Sequence, residues 1–224
     1  MGSKETALNF IKPNERVCVI FGAGPFDMPS DKLLPDSCEK PLYICADGGF
    51  DNAKRAEILP DIVIGDLDSA ISTVPEGIPV VFLPPEKDAT DLRVCVNHGL
   101  KNGCKTFILL CCTGGRLDHF IANLSVLEYL DSVGAKGVIA NSLNLIRIMG
   151  SERSLTFEPV GGYRYVSVLA VDEVCRGVTL TGMKYPLKNA TLRRDDAIGV
   201  SNEPSGGKIT ISVESGKIYV IFSR

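Results

Sequence analysis

The first two thirds of the chain alternate between short apolar runs and segments with helical spacing, and this alternation restricts the fold more than any other feature. Val17 to Phe21 is a continuous run of β-branched and aromatic residues, and Leu42 to Ala46 is a second apolar run. From Asp91, and again from Leu117, the apolar residues follow helical spacing, the second time with Ile121 facing inward. Strands separated by helices predict a mainly parallel sheet with helices on both faces, an α/β class.

The helical signal ends near Gly150, and only short strands are predicted after it. Tyr163 to Ala170, Glu173 to Leu180 and Lys217 to Phe222 are apolar runs separated by glycine-containing turns. Regular short strands of this kind predict an all-β fold, a small β-sandwich or barrel. We therefore expect an α/β domain over residues 1–149 and a small C-terminal β-sandwich domain over residues 150–224.

Composition excludes some classes of partner. The formal net charge is -3 at pH 7, whereas proteins that bind duplex nucleic acid usually present a basic face, so we expect no nucleic-acid partner. No apolar run reaches the roughly 20 residues that cross a bilayer. We therefore expect no membrane span, and we find no segment that resembles a secretion signal.

The 8 cysteines are not spaced as zinc ligands are, and most of them lie in apolar runs. A thiol in such a run behaves as a small buried hydrophobe, and this usage is typical of a reducing compartment, so we expect a cytoplasmic protein. The first residues, Met1 to Thr6, formally fit an N-myristoylation pattern at Gly2. An unmodified tail or a remnant of expression is the favoured alternative.

Four acidic segments follow predicted strands or open predicted helices. They are Ala46-Asp47-Gly48-Gly49, Gly65-Asp66-Leu67-Asp68-Ser69, Lys87-Asp88-Ala89-Thr90-Asp91 and Thr113-Gly114-Gly115-Arg116-Leu117-Asp118-His119. Ligands of an open parallel sheet lie beyond the carboxyl ends of its strands, so these segments are expected along one edge. Grouped carboxylates repel one another without a cation, and their hard oxygen ligands suit Mg²⁺ bridged to phosphates. The combination predicts phosphoryl or diphosphoryl transfer.

The second segment is the most specific of the four, and it is a candidate for metal ligation. In an extended conformation, Asp66 and Asp68 would point to the same side, as two ligands of one cation must. A turn that caps a helix is the alternative for this pair. A single Asp-Gly after a strand is usually a turn, and that alternative stays open for Asp47.

The third segment precedes a helix, which Asp88 or Thr90 could cap. Asp91 is a better candidate for a metal ligand, provided that its loop faces Asp66 and Asp68. Lys87 has the reach of a phosphate-binding point charge.

The fourth segment is a candidate phosphate site. Gly114 and Gly115 open a helix whose first amides can bind an anion, and Arg116 can bind phosphate oxygens in a bidentate manner. Asp118 and His119 could position a nucleotide or orient Arg116, and a solvated aspartate in the first turn is the alternative.

Gly22-Ala23-Gly24 begins like a dinucleotide-binding fingerprint. Asp27 replaces the third glycine and Pro25 obstructs the expected helix, so the sequence predicts only a backbone turn near the nucleotide.

Taken in this order, the four segments resemble the thiamin pyrophosphokinase family. Gly182-Met183-Lys184-Tyr185-Pro186-Leu187 and Ser201-Asn202-Glu203-Pro204 are similar to that family's vitamin-site segments. The resemblance implies transfer of the diphosphate group of ATP to the hydroxyethyl group of thiamine, which gives thiamine diphosphate and AMP. It also implies a homodimer whose active cleft lies between the α/β domain of one subunit and the β-domain of the other.

The resemblance assigns roles to single residues. Asp66, Asp68 and Asp91 would hold Mg²⁺, and Arg116 would stabilise the charge that develops during transfer. The predicted nucleotide, phosphate and vitamin contacts are Asp47, Ser69, Lys87, Asp88, Thr90, Gly114, Gly115, Arg116, Asp118, His119, Tyr185, Ser201 and Asn202. Some members of that family use a tryptophan near thiamine, and this chain contains none. Either Tyr185 is the aromatic neighbour of thiamine here, or the stacking is absent.

An aspartate of the cluster would accept the hydroxyl proton, and the sequence does not select one. Two other functions stay open at this point: a metal-dependent phosphoesterase, and a non-catalytic module that binds a nucleotide or a vitamin.

Overall fold

A computed structural model of the chain describes residues 11, 15–35, 38, 40–68, 70–84, 89–159 and 162–224. Within these ranges the chain divides into two compact units, with the division between Ser142 and Leu143. Ser69, Lys87 and Asp88, three of the predicted site residues, lie outside the described residues. Each unit is described by itself below.

The first unit contains a parallel sheet. Its strands are β1 (Val17–Phe21), β2 (Leu42–Ala46), β3 (Ile62–Gly65), β4 (Val80–Phe82), β5 (Thr106–Leu110) and β6 (Lys136–Ala140). They lie in the order β4-β3-β2-β1-β5-β6, and every neighbouring pair is parallel. β1 and β5 are buried along their whole length, as expected for strands covered on both faces. The predicted mainly parallel sheet is confirmed.

The strand order reverses between β1 and β5. From β1 the chain adds β2, β3 and β4 on one side, and then returns to place β5 and β6 on the other side. In an open α/β sheet such a reversal opens a crevice at the carboxyl ends of the two central strands. The loops after β1 and β5 are therefore the expected neighbours of a ligand.

Three helices join these strands: α1 (Gly49–Arg55), α2 (Asp91–Lys101) and α3 (Leu117–Ser132). α1 and α2 pack against β1 and β2, and α3 packs against β6. The prediction that Ile121 faces inward is wrong, because its side chain is 63% exposed. The fully buried residues of α3 begin at Val126, so the second half of the helix packs more deeply than the first.

The second unit contains two antiparallel groups of strands. β7 (Asn144–Met149), β13 (Ile218–Ser223) and β9 (Tyr165–Ala170) lie in the order β7-β13-β9. The other group has the order β11-β10-β12-β8, formed by β8 (Ser154–Phe157), β10 (Val174–Thr181), β11 (Leu187–Arg193) and β12 (Ile209–Ser212). β7 belongs to this unit because it pairs with β13, although the sequence analysis placed residues 144–149 at the end of the first domain.

Aromatic side chains join the two groups of strands. Phe157 of β8 contacts Phe222 of β13, with ring centroids 5.2 Å apart and planes at 71°. Tyr163 meets the same ring with a centroid distance of 6.0 Å. Edge-to-face contacts of this kind stabilise a core beyond the area that they bury. The predicted small β-sandwich is confirmed.

The cysteines are free thiols, and all of them are buried except Cys38, which is half-buried. Burial raises the pKa of Cys45 to about 12, so this thiol stays protonated at neutral pH. The prediction that most cysteines are small buried hydrophobes is confirmed. Among the described residues, no helix combines the length and apolar character that a membrane crossing requires.

Candidate active site

The turn after β1 is packed tightly against the turn after β5. The Gly22 and Gly24 amides donate hydrogen bonds to the carbonyl oxygens of Leu110 at 2.8 Å and Cys111 at 3.0 Å. A Cβ atom on Gly24 would lie 2.6 Å from the Cys111 carbonyl oxygen, so this approach requires glycine. Residues 25–29 form no helix, which a dinucleotide fingerprint would need. The predicted backbone turn is present.

Asn52 of α1 fixes this turn from behind. Its Nδ2 donates to the carbonyl oxygens of both Gly22 and Gly24, each at 2.8 Å. The side chain is buried, so the two bonds also satisfy a polar group that would otherwise be costly inside the protein. Sequence reasoning missed Asn52, because an amide in a short helix is equally compatible with an exposed face.

Asp47 lies where β2 ends and the chain turns into α1. Its backbone has a φ of 50°, and its amide donates to the Ile64 carbonyl oxygen at 2.9 Å. A Cβ atom at position 65 would lie 2.7 Å from the Asp47 Cα, so Gly65 permits the ends of β2 and β3 to approach. Asp47 is 9% exposed, although it carries a carboxylate.

Asp66 and Asp68 lie in a turn directly after β3. Leu67 between them has a φ of 61°, and the Asp68 amide donates to Asp66 Oδ1 at 3.3 Å. The segment is therefore bent, and the extended conformation that the sequence analysis considered is not adopted. Among the described residues of 66–79, no helix begins, so the pair does not cap one.

The turn places three carboxylates in one cluster, which we call the acidic cluster. One oxygen each from Asp47, Asp66 and Asp68 lies within 4.8 Å of the other two. The negative charge of Asp66 raises the pKa of Asp68, with smaller contributions from Asp47 and Asp91. Grouped acidic oxygens are the hard donors that Mg²⁺ prefers, so these residues fit a divalent cation.

Asp91, the third predicted metal ligand, begins α2. The negative charge of Asp91 contributes to the raised pKa of Asp68. The third carboxylate within 4.8 Å of Asp66 and Asp68, however, is Asp47 rather than Asp91. Thr90 caps α2, because its Oγ1 accepts a hydrogen bond from the Arg93 amide at 3.3 Å. The capping alternative for Thr90 is therefore observed.

The segment after β5 forms an exposed loop before α3. Gly114 and Gly115 have φ values of 80° and 65°, which side chains rarely adopt. Arg116 precedes the first turn of α3 and forms a bidentate pair with Asp118, Nε to Oδ1 at 3.2 Å and Nη2 to Oδ2 at 2.5 Å. The hydrogen bond from Arg116 lowers the pKa of Asp118. Asp118 thus orients Arg116, while His119 is exposed beside it.

In the second unit, the two predicted vitamin-site segments are joined. The Lys184 amide donates to the Glu203 carbonyl oxygen at 2.8 Å. Asn202 Oδ1 accepts from the Tyr185 amide at 3.0 Å, and its Nδ2 donates to the Tyr185 carbonyl oxygen at 2.7 Å. Asn202 is buried, so its observed contacts hold the segments together.

The side chains on these segments leave an aromatic ring and several charges exposed. Tyr185 is 60% exposed, and the Lys184 Nζ lies 5.4 Å from its ring centroid. Lys184 also pairs with Glu203, Nζ to Oε1, at 3.1 Å. Ser201 is exposed, with its amide donating to Ser167 Oγ at 3.0 Å. Sequence reasoning did not single out Glu203, although the Ser-Asn-Glu-Pro segment contains it.

Comparison with known proteins covers both units. Residues 37–139 match the family described as "Thiamin pyrophosphokinase, catalytic domain", and residues 153–218 match "Thiamin pyrophosphokinase, vitamin B1 binding domain". The chain is 30% identical over 208 residues to a thiamine pyrophosphokinase of Bacillus subtilis (strain 168), covering 85% of this chain and 93% of the relative. It is 26% identical over 213 residues to thiamine pyrophosphokinase 2 of Oryza sativa subsp. japonica, covering 82% and 78%.

Solved structures share the fold. The crystal structure of thiamine pyrophosphokinase from Bacillus subtilis superposes with a TM-score of 0.80 at 26% identity, covering 93% of this chain and 99% of that one. The crystal structure of thiamin pyrophosphokinase from Geobacillus thermodenitrificans has a TM-score of 0.78 at 26% identity, covering 93% and 97%.

Proposed function

The chain belongs to the thiamin pyrophosphokinase family, and on that premise we propose which of its residues hold the metal ion and the two substrates. The enzyme transfers the diphosphate group of ATP to the hydroxyl of thiamine and forms thiamine diphosphate and AMP. In this reaction a bond forms between the thiamine hydroxyl oxygen and the β-phosphorus, and the bond from that phosphorus to the oxygen retained by AMP breaks.

We propose that the acidic cluster is the site of Mg²⁺. The observation that supports this most strongly is the approach of the Asp47, Asp66 and Asp68 oxygens within 4.8 Å of one another. Asp91 adds its charge from the start of α2 and remains a candidate ligand. When bound, Mg²⁺ would neutralise charge on the phosphate oxygens. A carboxylate of the cluster would accept the proton that thiamine loses.

The loop before α3 is proposed to bind the phosphates. Gly114 and Gly115 leave the amides at the start of the helix open to an anion, and Arg116 lies beside them with its guanidinium exposed. A phosphate would compete with Asp118 for that guanidinium, and His119 offers a further donor. Thr90 is a candidate nucleotide contact from the start of α2, and Ser69, Lys87 and Asp88 remain candidates on sequence alone.

The exposed face around Tyr185 is proposed to bind thiamine. Thiamine is a cation, and a cation is attracted to the face of an aromatic ring. The Tyr185 ring already has one cation, the Lys184 Nζ, over its face. Glu203 supplies a carboxylate on the same segments, and Ser201 an exposed hydroxyl. Asn202 is proposed to keep both segments in place for the vitamin.

We further propose that the enzyme is a cytoplasmic homodimer, with each active cleft formed by the α/β unit of one subunit and the β-unit of the other. The family resemblance supports the dimer. The free, mostly buried thiols support a reducing compartment.

Binding of Mn²⁺, measured by electron paramagnetic resonance without nucleotide, tests the metal site. We expect wild-type enzyme to bind the cation, and Asp66→Asn and Asp68→Asn to lose binding while remaining folded. Asp61→Asn is the matched control, because Asp61 is an aspartate directly before β3 that accepts a hydrogen bond from the Tyr43 amide at 2.9 Å. Wild-type affinity in Asp68→Asn would refute the assignment.

A further inference from the structure

The turn that carries Asp66 and Asp68 is fastened to α1 chiefly by the carboxylate of Asp51. Asp51 Oδ2 accepts a hydrogen bond from the Ile71 amide at 2.8 Å, and Asp51 Oδ1 accepts one from the Ser72 amide at 2.9 Å. A carboxylate that binds two consecutive amides fixes both the place and the orientation of that main chain. One turn later in α1, Lys54 Nζ contacts Ser72 Oγ at 3.3 Å.

The described residues of this turn are exposed or half-buried. Among the described residues of 66–79, none is buried and none belongs to a helix or strand. The Ile71 side chain is 94% exposed, so it does not fasten the turn to the core. Repulsion within the acidic cluster also favours displacement of the turn away from Asp47.

α1, in contrast, is a firm support. Phe50 and Ala53 are buried, and Asn52 is bonded to the glycine turn after β1. Partial burial opposes ionisation of Asp51, but the hydrogen bonds from Ile71 and Ser72 outweigh it and lower the pKa of the carboxyl. Asp51 therefore stays ionised, and able to accept both bonds, at neutral pH.

We propose that Asp51 is a positioning residue of the divalent-cation site, which acts through the main chain of Ile71 and Ser72 and keeps Asp66 and Asp68 beside Asp47. The inference rests on the proposed function, since it requires that the acidic cluster binds the cation. The helix α1 thus supports two turns at the carboxyl ends of the strands. Asn52 supports the turn after β1, and Asp51 supports the turn after β3.

Mn²⁺ affinity of the full-length protein, measured without nucleotide, tests this role. We expect Asp51→Ala to raise the Kd for Mn²⁺ about tenfold, the effect of losing about 1.4 kcal/mol of binding free energy. Asp51→Asn retains one acceptor oxygen and should raise the Kd less. Hydrogen exchange of the Ile71 and Ser72 amides should accelerate in both variants.

Asp61→Ala separates positioning from a general loss of stability. It also removes a carboxylate that accepts a main-chain hydrogen bond, but directly before β3, at the opposite end of that strand from the turn. We expect this variant to lose stability comparably, to keep the wild-type Kd for Mn²⁺ and to leave the exchange of the Ile71 and Ser72 amides unchanged.

The outcomes distinguish this inference from the proposed function. An unchanged Kd in Asp51→Ala, with binding lost in Asp68→Asn, would overturn the role of Asp51 and leave the metal site intact. An unchanged Kd in Asp68→Asn would overturn the metal site, and this inference with it. If Asp51→Ala does not fold, Asp51→Asn decides: a raised Kd supports positioning, and an unchanged Kd overturns it.

Discussion

At the residue scale, the acidic cluster combines repulsion with preorganisation. The negative charge of Asp66, with smaller contributions from Asp47 and Asp91, raises the pKa of Asp68. Its carboxyl therefore retains a proton more strongly than an ordinary aspartate does. The same closeness places three oxygens where one cation can contact them. A site of this kind is least favourable when it is ionised and empty, and most favourable when a cation neutralises it.

The raised pKa of Asp68 predicts a pH dependence. In the metal-free protein, protonation favours the folded state as pH falls through the raised pKa, because the unfolded chain binds that proton less tightly. Mg²⁺ competes with the proton, so it should raise Tm most at neutral pH and progressively less in acid. Thermal denaturation with and without Mg²⁺ across this range measures the difference. An equal Mg²⁺ effect at every pH, or an undiminished one in Asp68→Asn, would contradict the expectation.

The sequence was sufficient to nominate most of the acidic residues, because each follows an apolar run that ends in a turn. It could not identify Asp47 as the third member of the cluster. That closeness depends on the missing side chain of Gly65, which lets β2 and β3 approach. Asp51 was also missed, since its partners are main-chain amides and leave no pattern of side chains in the sequence.

At the scale of elements, the parallel sheet followed directly from periodicity. β1 and β2 have the predicted bounds, because continuous apolar runs flanked by turns leave little choice of ends. The contacts place β7 in the second unit, whereas the sequence analysis placed residues 144–149 before the division. The antiparallel partner of β7, β13, lies at the other end of the second unit's sequence. Pairings between distant segments are not encoded in local periodicity.

β7 also contains a buried charge that local patterning does not predict. Arg147 is almost fully buried, its partner Glu152 is 28% exposed, and the two form a hydrogen-bonded ion pair. Burial lowers the pKa of Arg147, and the pair with Glu152 opposes that effect. Without a carboxylate nearby, such a charge would be costly in the β-sandwich.

Arg147→Ala should therefore destabilise the protein by about 2–3 kcal/mol, below the usual range for fully buried pairs because Glu152 is partly solvated. Chemical denaturation measures the change in the free energy of unfolding. Arg147→Met keeps most of the volume and should cost less. A loss below about 0.5 kcal/mol in Arg147→Ala, the size of an ordinary surface effect, would show that the pair does not stabilise the fold.

At the scale of the whole molecule, the family's two segment types lie on different units of the chain. The acidic cluster belongs to residues 11–142, and the joined segments around Tyr185 belong to residues 143–224. In the proposed homodimer, one subunit supplies the acidic cluster of a cleft and the other supplies its vitamin segments. Each subunit would then take part in two clefts.

Mixed dimers test that arrangement. Asp68→Asn removes the metal site, and Tyr185→Ala weakens thiamine binding, so each variant alone should be poorly active at limiting thiamine. In a dimer that contains one subunit of each, one cleft is intact if clefts combine units from both subunits. Random assortment of an equimolar mixture should then restore about a quarter of the wild-type sites. Activity no higher than that of the separate variants would place each cleft within one subunit.

One assay tests the reaction and its site together. It follows product formation from ATP and Mg²⁺, with and without thiamine, in wild type, Asp68→Asn and Asp61→Asn. Wild type and Asp61→Asn should form AMP and thiamine diphosphate in equal amounts, only when thiamine and Mg²⁺ are both present. Asp68→Asn should stay folded and lose most of its turnover. Wild-type turnover in Asp68→Asn at limiting Mg²⁺, or phosphate released by wild type without thiamine, would contradict a metal-dependent diphosphate transfer at the acidic cluster.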